Sequence, residues 1–199
     1  MRFNLFGIKI YVSFPFCLVI CLVLLIDKTG LFLKAFAAAL IHEAGHLFCL
    51  FVYDTLPSSI RFVPCGIEIT RRKSDYGGNI FLISLSGPML NIAVALTSFM
   101  NYYLYKREGV LYFAGVNLAL GLFNLLPARG LDGGTILVGL LYKKFSYNLS
   151  ERILTYMSFF ISLLFLSGAI YVYLSGVKNL SLIFAAFYIM FCALFMKKE

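Results

Sequence analysis

Ala35-Phe36-Ala37-Ala38-Ala39-Leu40-Ile41-His42-Glu43-Ala44-Gly45-His46-Leu47-Phe48-Cys49-Leu50-Phe51-Val52-Tyr53 contains both histidines of this 199-residue chain, with seven uncharged residues before His42 and seven after His46. A helix turns once per ~3.6 residues, so His42 and His46 project from one face. Imidazoles at that spacing suit a single Zn²⁺, and Glu43, one residue on, can reach a water activated by the metal. The pentapeptide lies about 10 Å from either end of the apolar run. An ionisable group at such a depth costs about 2.5–3.5 kcal/mol on insertion scales, so a functional site explains its presence better than two unrelated packed histidines.

Composition supports the membrane independently. Hydrophobic residues make up 61% of the chain, charged residues 13%, and the mean hydropathy is +0.91. Those values exclude an ordinary water-soluble surface. Six segments are long enough to span ~30 Å of hydrocarbon: about 10–26, 32–53, 79–105, 110–141, 152–174 and 180–196. The expectation is an all-α polytopic membrane protein of about six transmembrane helices with short membrane-associated β segments. Residues 1–199 form a single domain with no room for an appended soluble one. The first apolar stretch runs into Asp27-Lys28-Thr29 without a small-residue cleavage site, so it reads as a retained span rather than a signal peptide.

Net charge is +8, and its distribution accounts for it. Assigning alternate connections to opposite sides puts eleven of the seventeen Lys and Arg residues on one side, among them Arg71-Arg72-Lys73, Lys143, Lys144 and Arg152. The other side has five: Lys28, Lys34, Lys106, Arg107 and Lys178. Positive-inside bias then places both termini in the cytoplasm of a cell-membrane protein. The same bias explains the basic balance without a nucleic-acid partner, for which no motif is present. The tyrosines near proposed helix ends, such as Tyr102, Tyr103 and Tyr171, read as interfacial anchors. The five cysteines form no C-x-x-C pair, and disulfides are not expected. Cys49 is three residues beyond His46, and its first reading is apolar packing.

A catalytic zinc needs a third protein ligand, and no histidine remains. Most carboxylates lie in connections, where a solvated charge is the ordinary role. Asp132 differs, because it falls inside the fourth apolar segment in Asn124-Leu125-Leu126-Pro127-Ala128-Arg129-Gly130-Leu131-Asp132-Gly133-Gly134. Pro127 and three glycines break the helix there, and broken backbone at membrane depth is tolerated where it is buried in protein or lines a wet cavity. Asp132 is the leading third ligand, with Glu68 at a membrane surface as the alternative. Arg129, the one Lys or Arg inside the fourth segment, either pairs with Asp132 in the metal-free state or snorkels to an interface.

The motif His42-Glu43-x-x-His46, the run Ser86-Gly87-Pro88-x-x-Asn91, and Asn124-x-x-Pro127 followed by Leu131-Asp132-Gly133-Gly134 resemble, in order and spacing, the site-2 intramembrane metalloproteases. Phe6 to Pro15 is similar to the short strand-forming opening of that family. The layout most resembles the sporulation branch that processes a mother-cell sigma-factor precursor, without its CBS domain. Two further positions depart from the family pattern: Ser13, near which a histidine is common, and Gly130, where a proline is common. The resemblance implies one Zn²⁺ per chain held by His42, His46 and Asp132, with Glu43 as general base. Asn124 and Asn91 are candidate oxyanion or substrate-positioning amides. Membrane-bound inhibitory or regulatory proteins are expected partners, beside the lipid bilayer and a membrane-associated protein substrate.

Hydrolysis inside a membrane requires a substrate helix to unwind locally. Two β-like runs, Ser59 to Val63 and Gly66-Ile67-Glu68-Ile69-Thr70, flank Pro64-Cys65 and suit a hairpin that pairs with the unwound strand. Arg71-Arg72-Lys73 suits an acidic substrate segment or lipid headgroups equally well. The alternative function is a membrane zinc carrier or sensor, which does not need Glu43 as a base.

Overall fold

The computed structural model describes residues 2–5, 8–55, 57, 59–63, 66–70, 80–176 and 181–195, and divides the chain into two compact units, Met1–Leu122 and Phe123–Glu199. The first unit opens with a small sheet. Strands β1 (Arg2–Leu5), β2 (Ile8–Val12), β3 (Ser59–Val63) and β4 (Gly66–Thr70) lie in that order. β1 and β2 pair antiparallel, β2 and β3 parallel, and β3 and β4 antiparallel with Val63 opposite Gly66. The expected hairpin therefore forms. The side chains of β4 and the tract Arg71-Arg72-Lys73 lie outside the described residues.

Residues 10–12, expected at the start of the first span, are strand instead. Ile8, Ile10 and Val12 alternate with Lys9 and Tyr11, and β-branched residues at a period of two favour a pleated strand. Helix α1 (Phe14–Ile26) starts after them, with the Ser13 hydroxyl accepting from the Phe16 N–H at 3.3 Å and Pro15 in the first turn. Phe16 also ties the sheet to the helices. Its ring lies 5.5 Å from that of Phe62 on β3 and 6.4 Å from that of Phe36 on helix α2 (Leu31–Val52).

Helix α2 packs on α3 (Ile80–Tyr105) along a stripe of small and polar residues. Ala38, His42 and Gly45 are buried on α2, as are Ser84, Gly87, Pro88, Asn91 and Ala95 on α3. A Cβ on Gly45 would stand 2.7 Å from the Ser86 carbonyl oxygen and 2.9 Å from the Gly87 Cα, so glycine sets how closely the two backbones approach. Leu33, Phe48, Phe51, Leu96 and Met100, away from that seam, are exposed. Apolar side chains turned outward along such helices suit hydrocarbon rather than water.

Helix α4 (Glu108–Asn124) packs on α3 through Gly121, whose Cβ would meet the Pro88 carbonyl oxygen at 3.0 Å. The second unit begins in its last residues and continues with α5 (Asp132–Leu141), α6 (Tyr147–Leu174) and α7 (Ser181–Phe195). Its core is Ala128, Leu131, Ile161 and Ile189, with Phe123, Leu126 and Phe165 packed against it. The fourth apolar segment is broken between α4 and α5, as Pro127 and the glycines predict. Among the described residues, α2, α3 and α6 are long and apolar enough to cross a membrane, and α1, α5 and α7 are shorter apolar helices.

Candidate metal centre

The local geometry of the first unit follows from three helices carrying polar groups into one apolar seam. His42 is buried and His46 half-buried on the α3-facing side of α2. Their rings meet edge to face with centroids 4.8 Å apart, and the two Nε2 atoms are separated by 3.1 Å. Gly87 makes this arrangement fit. A Cβ there would lie 2.5 Å from His46 Nε2 and 3.0 Å from His42 Cε1.

The outer nitrogen of each ring is held by an acceptor. His46 Nδ1 lies 2.7 Å from the Ile83 carbonyl oxygen, which can only accept, so this nitrogen carries the proton. His42 Nδ1 lies 2.7 Å from Asn91 Oδ1. The Asn91 amide is oriented by its own donors. Its Nδ2 donates to the Ala38 carbonyl at 3.0 Å and to Asn117 Oδ1 at 2.9 Å. Asn117 Nδ2 in turn donates to the Phe113 carbonyl at 3.0 Å. Asn91 Oδ1 is thereby left facing His42 as an acceptor, and His42 carries its proton on Nδ1.

Both rings therefore direct Nε2 lone pairs toward the same small region. The two Nε2 atoms lie 3.1 Å apart, close enough to share one small cation. Neutral imidazole with Nδ1–H held by an acceptor and Nε2 lone pair exposed is the form that ligates zinc. The donor set fits the metal. Glu43 follows His42 on the same turn and is half-buried.

Both Asn91 N–H groups thus donate within the helix seam, to Ala38 and Asn117, while its oxygen faces His42. Asn117 and Gly121, which position Asn91 from α4, escaped the sequence reading. Their signal was an amide and a glycine four residues apart inside an apolar segment. Cys49 lines an apolar groove of about 360 Å³ beside Leu85 and Met89, in keeping with apolar packing.

The second unit shapes the turn that carries Asp132. Gly130 has φ +85°, a conformation closed to proline, which accounts for the departure at this position. Asp132 opens α5, where the helix dipole favours negative charge. Gly133 and Gly134 follow because a Cβ on either would collide with the carbonyls of Leu125 and Ala128. The turn is fastened to α6. The Arg129 backbone N–H donates to Ser158 Oγ at 2.8 Å, and its guanidinium donates to Glu151 Oε2 at 2.6 Å and to Thr155 Oγ1 at 3.2 Å. Tyr142 OH donates to the other Glu151 oxygen at 2.9 Å. The sequence offered Asp132 or an interface for Arg129; the structure gives its guanidinium Glu151 as an ion-pair partner. Asn124, the last residue of α4, is half-buried.

The chain is similar to proteins described as zinc metalloproteases. The model of peptidase family M50 matches residues 106–165. A zinc metalloprotease of Methanocaldococcus jannaschii is 31% identical over 163 residues, covering 76% of this chain and 48% of that protein. The chain thus spans about half the length of this curated relative. The solved structure of a site-2 protease from Methanocaldococcus jannaschii superposes with a TM-score of 0.69 at 25% identity, covering 97% of this chain and 93% of that one. The chain is thus similar in sequence to zinc metalloproteases and in fold to a site-2 protease.

Proposed function

We propose that this chain is a zinc-dependent intramembrane endopeptidase that hydrolyses a peptide bond of a membrane-associated or transmembrane protein. The observation that carries the reading is the paired histidine geometry: two Nδ1 protons fixed by Asn91 and Ile83, and two Nε2 atoms 3.1 Å apart. In this reading His42, His46 and Asp132 hold one Zn²⁺. When bound, zinc supplies Lewis acidity toward the scissile carbonyl and activates water. Glu43 accepts the proton of the attacking water and returns it to the leaving amine. Asn124 is the remaining candidate amide for the developing oxyanion, and Asn91 keeps His42 in its ligating tautomer.

The substrate strand, once unwound, is held by addition to the sheet. β4 has β3 on one side and, among the described residues, no strand on the other. Gly66 to Ile69 offer main-chain groups for that pairing. Six spans with both termini cytoplasmic, and control by membrane-bound inhibitory proteins, complete the proposal. A sporulation sigma-factor precursor is the first substrate to test.

Co-expression of the chain or its Glu43→Gln form with that precursor and with membrane-anchored candidates tests the reading. Fragments are followed by gel and zinc by elemental analysis. Cleavage by the parent alone, with zinc in both forms, supports the endopeptidase. Zinc in both forms with cleavage surviving Glu43→Gln would overturn the assignment of the base. A zinc carrier or sensor predicts metal in both and cleavage of no candidate.

A further inference from the structure

The second unit contains a cavity of about 620 Å³ that has no part in the proposed hydrolysis. Its lining combines Arg129, Glu151 and Arg152 with the apolar surfaces of Tyr156, Ala193 and Leu194. Arg129 and Glu151 neutralise each other through their 2.6 Å contact. Arg152 makes no ion pair or hydrogen bond among the described residues, and it adds a second guanidinium to the lining.

The location specifies what kind of anion this charge meets. Arg152 is the sixth residue of α6, one of the helices long enough to cross a membrane. It lies only ~7.5 Å along the axis from the first residue, and in a membrane-crossing α6 that end is where headgroups would meet hydrocarbon. The first turn of α6 adds the positive end of the helix dipole. Space of this size accommodates a small organic group, and its mixed lining suits a molecule with a charged end and an apolar end. A free inorganic anion would use the guanidinium and leave Tyr156 and Leu194 without a role.

We propose that this cavity binds the phosphate headgroup of one anionic phospholipid, with the phosphodiester on Arg152 and the start of an acyl chain against Tyr156 and Leu194. Basic pockets between helices at the membrane surface recognise anionic headgroups by the same chemistry. The bound lipid would sit beside the Arg129–Glu151 pair that fastens the turn before Asp132.

The test uses the full chain in nanodiscs of phosphatidylcholine with a minority of phosphatidylglycerol, extracted gently and weighed intact by native mass spectrometry. One phosphatidylglycerol should be retained in preference to phosphatidylcholine. Arg152→Gln should lower the retained fraction about fivefold, Arg152→Lys should restore most of it, and Arg107→Gln, in the α3–α4 connection, should leave it unchanged. Equal retention by Arg152→Gln and Arg107→Gln overturns the site, as does equal retention of the two lipids. Inorganic phosphate or glycerol phosphate displacing the lipid at millimolar levels assigns the cavity to a soluble anion and overturns the lipid form. Unchanged zinc content in each variant verifies that the fold is intact.

Discussion

Asn91 Oδ1 accepts from His42 Nδ1 at 2.7 Å, linking the middle of α3 to a histidine of the candidate metal centre on α2, forty-nine residues earlier in the chain. The bond does two things at once. It fixes the ring's rotation, and it assigns a proton to Nδ1, the arrangement in which Nε2 is the atom left to ligate a metal.

Replacing Asn91 by leucine should therefore lower zinc affinity about 10–100-fold, the usual effect of removing a ligand's supporting partner. Asn117→Leu, one step further out, should have a smaller effect in the same direction. Competition with a chelator of known affinity measures both. Equal zinc affinity in all three proteins would contradict the orienting role.

Gly87→Ala should displace His46, because the new methyl would lie 2.5 Å from Nε2. A loss of about 1–3 kcal/mol in stability is expected, the usual range for overpacking, together with reduced zinc content. Gly115→Ala on α4, where a Cβ meets nothing within 4 Å, should be tolerated. Thermal unfolding in detergent with zinc analysis separates the two.

The Arg129–Glu151 pair is largely buried, with side chains 10% and 16% exposed. Removing either partner leaves a charge in a poorly solvated place, so Arg129→Met or Glu151→Leu alone should destabilise by about 3–5 kcal/mol. The double variant should lose less than either single change. A double-mutant cycle of unfolding free energies checks this, and additive losses would refute the pairing.

Asp27 supplies a pH dependence away from the metal. Its carboxylate accepts from Thr29 Oγ1 at 2.6 Å and from the backbone N–H groups of Thr29 at 3.0 Å and Phe32 at 2.8 Å. The Thr29 hydroxyl, chiefly, holds its pKa below the usual carboxylate value. A group depressed on folding stabilises the fold above its unfolded pKa of about 3.9 and loses that contribution as pH falls through the folded value. Asp27→Asn should flatten the acid side of the stability profile and leave neutral pH little changed. An unaltered acid limb in a melting series from pH 7 downward would count against it.

Chelation should remove activity and lower the melting temperature together, since a ligand bound only to the folded state stabilises it by mass action. Zinc returned in slight excess should restore both. A melting temperature indifferent to 1,10-phenanthroline would mean that the histidine pair holds no metal.

Sequence by itself determined what is local in the chain. The four-residue spacing of His42 and His46 placed them on one helical face, the alternation in residues 59–63 and 66–70 foretold the β3–β4 hairpin, and Pro127 with its glycines foretold the break before α5. Each depends on backbone periodicity or a residue's own dihedral limits, which neighbours in sequence suffice to reveal. The start of the first span was misjudged because Ile10-Tyr11-Val12 is as apolar as the helix that follows, and hydropathy alone does not separate them. Only tertiary structure decided that Asn91 orients His42, that Asn117 orients Asn91, and that Arg129 pairs with Glu151. Those partners lie 49, 26 and 22 residues apart. No spacing rule encodes such pairs, because what selects each partner is the need of a buried polar group for a complement on a different packed helix.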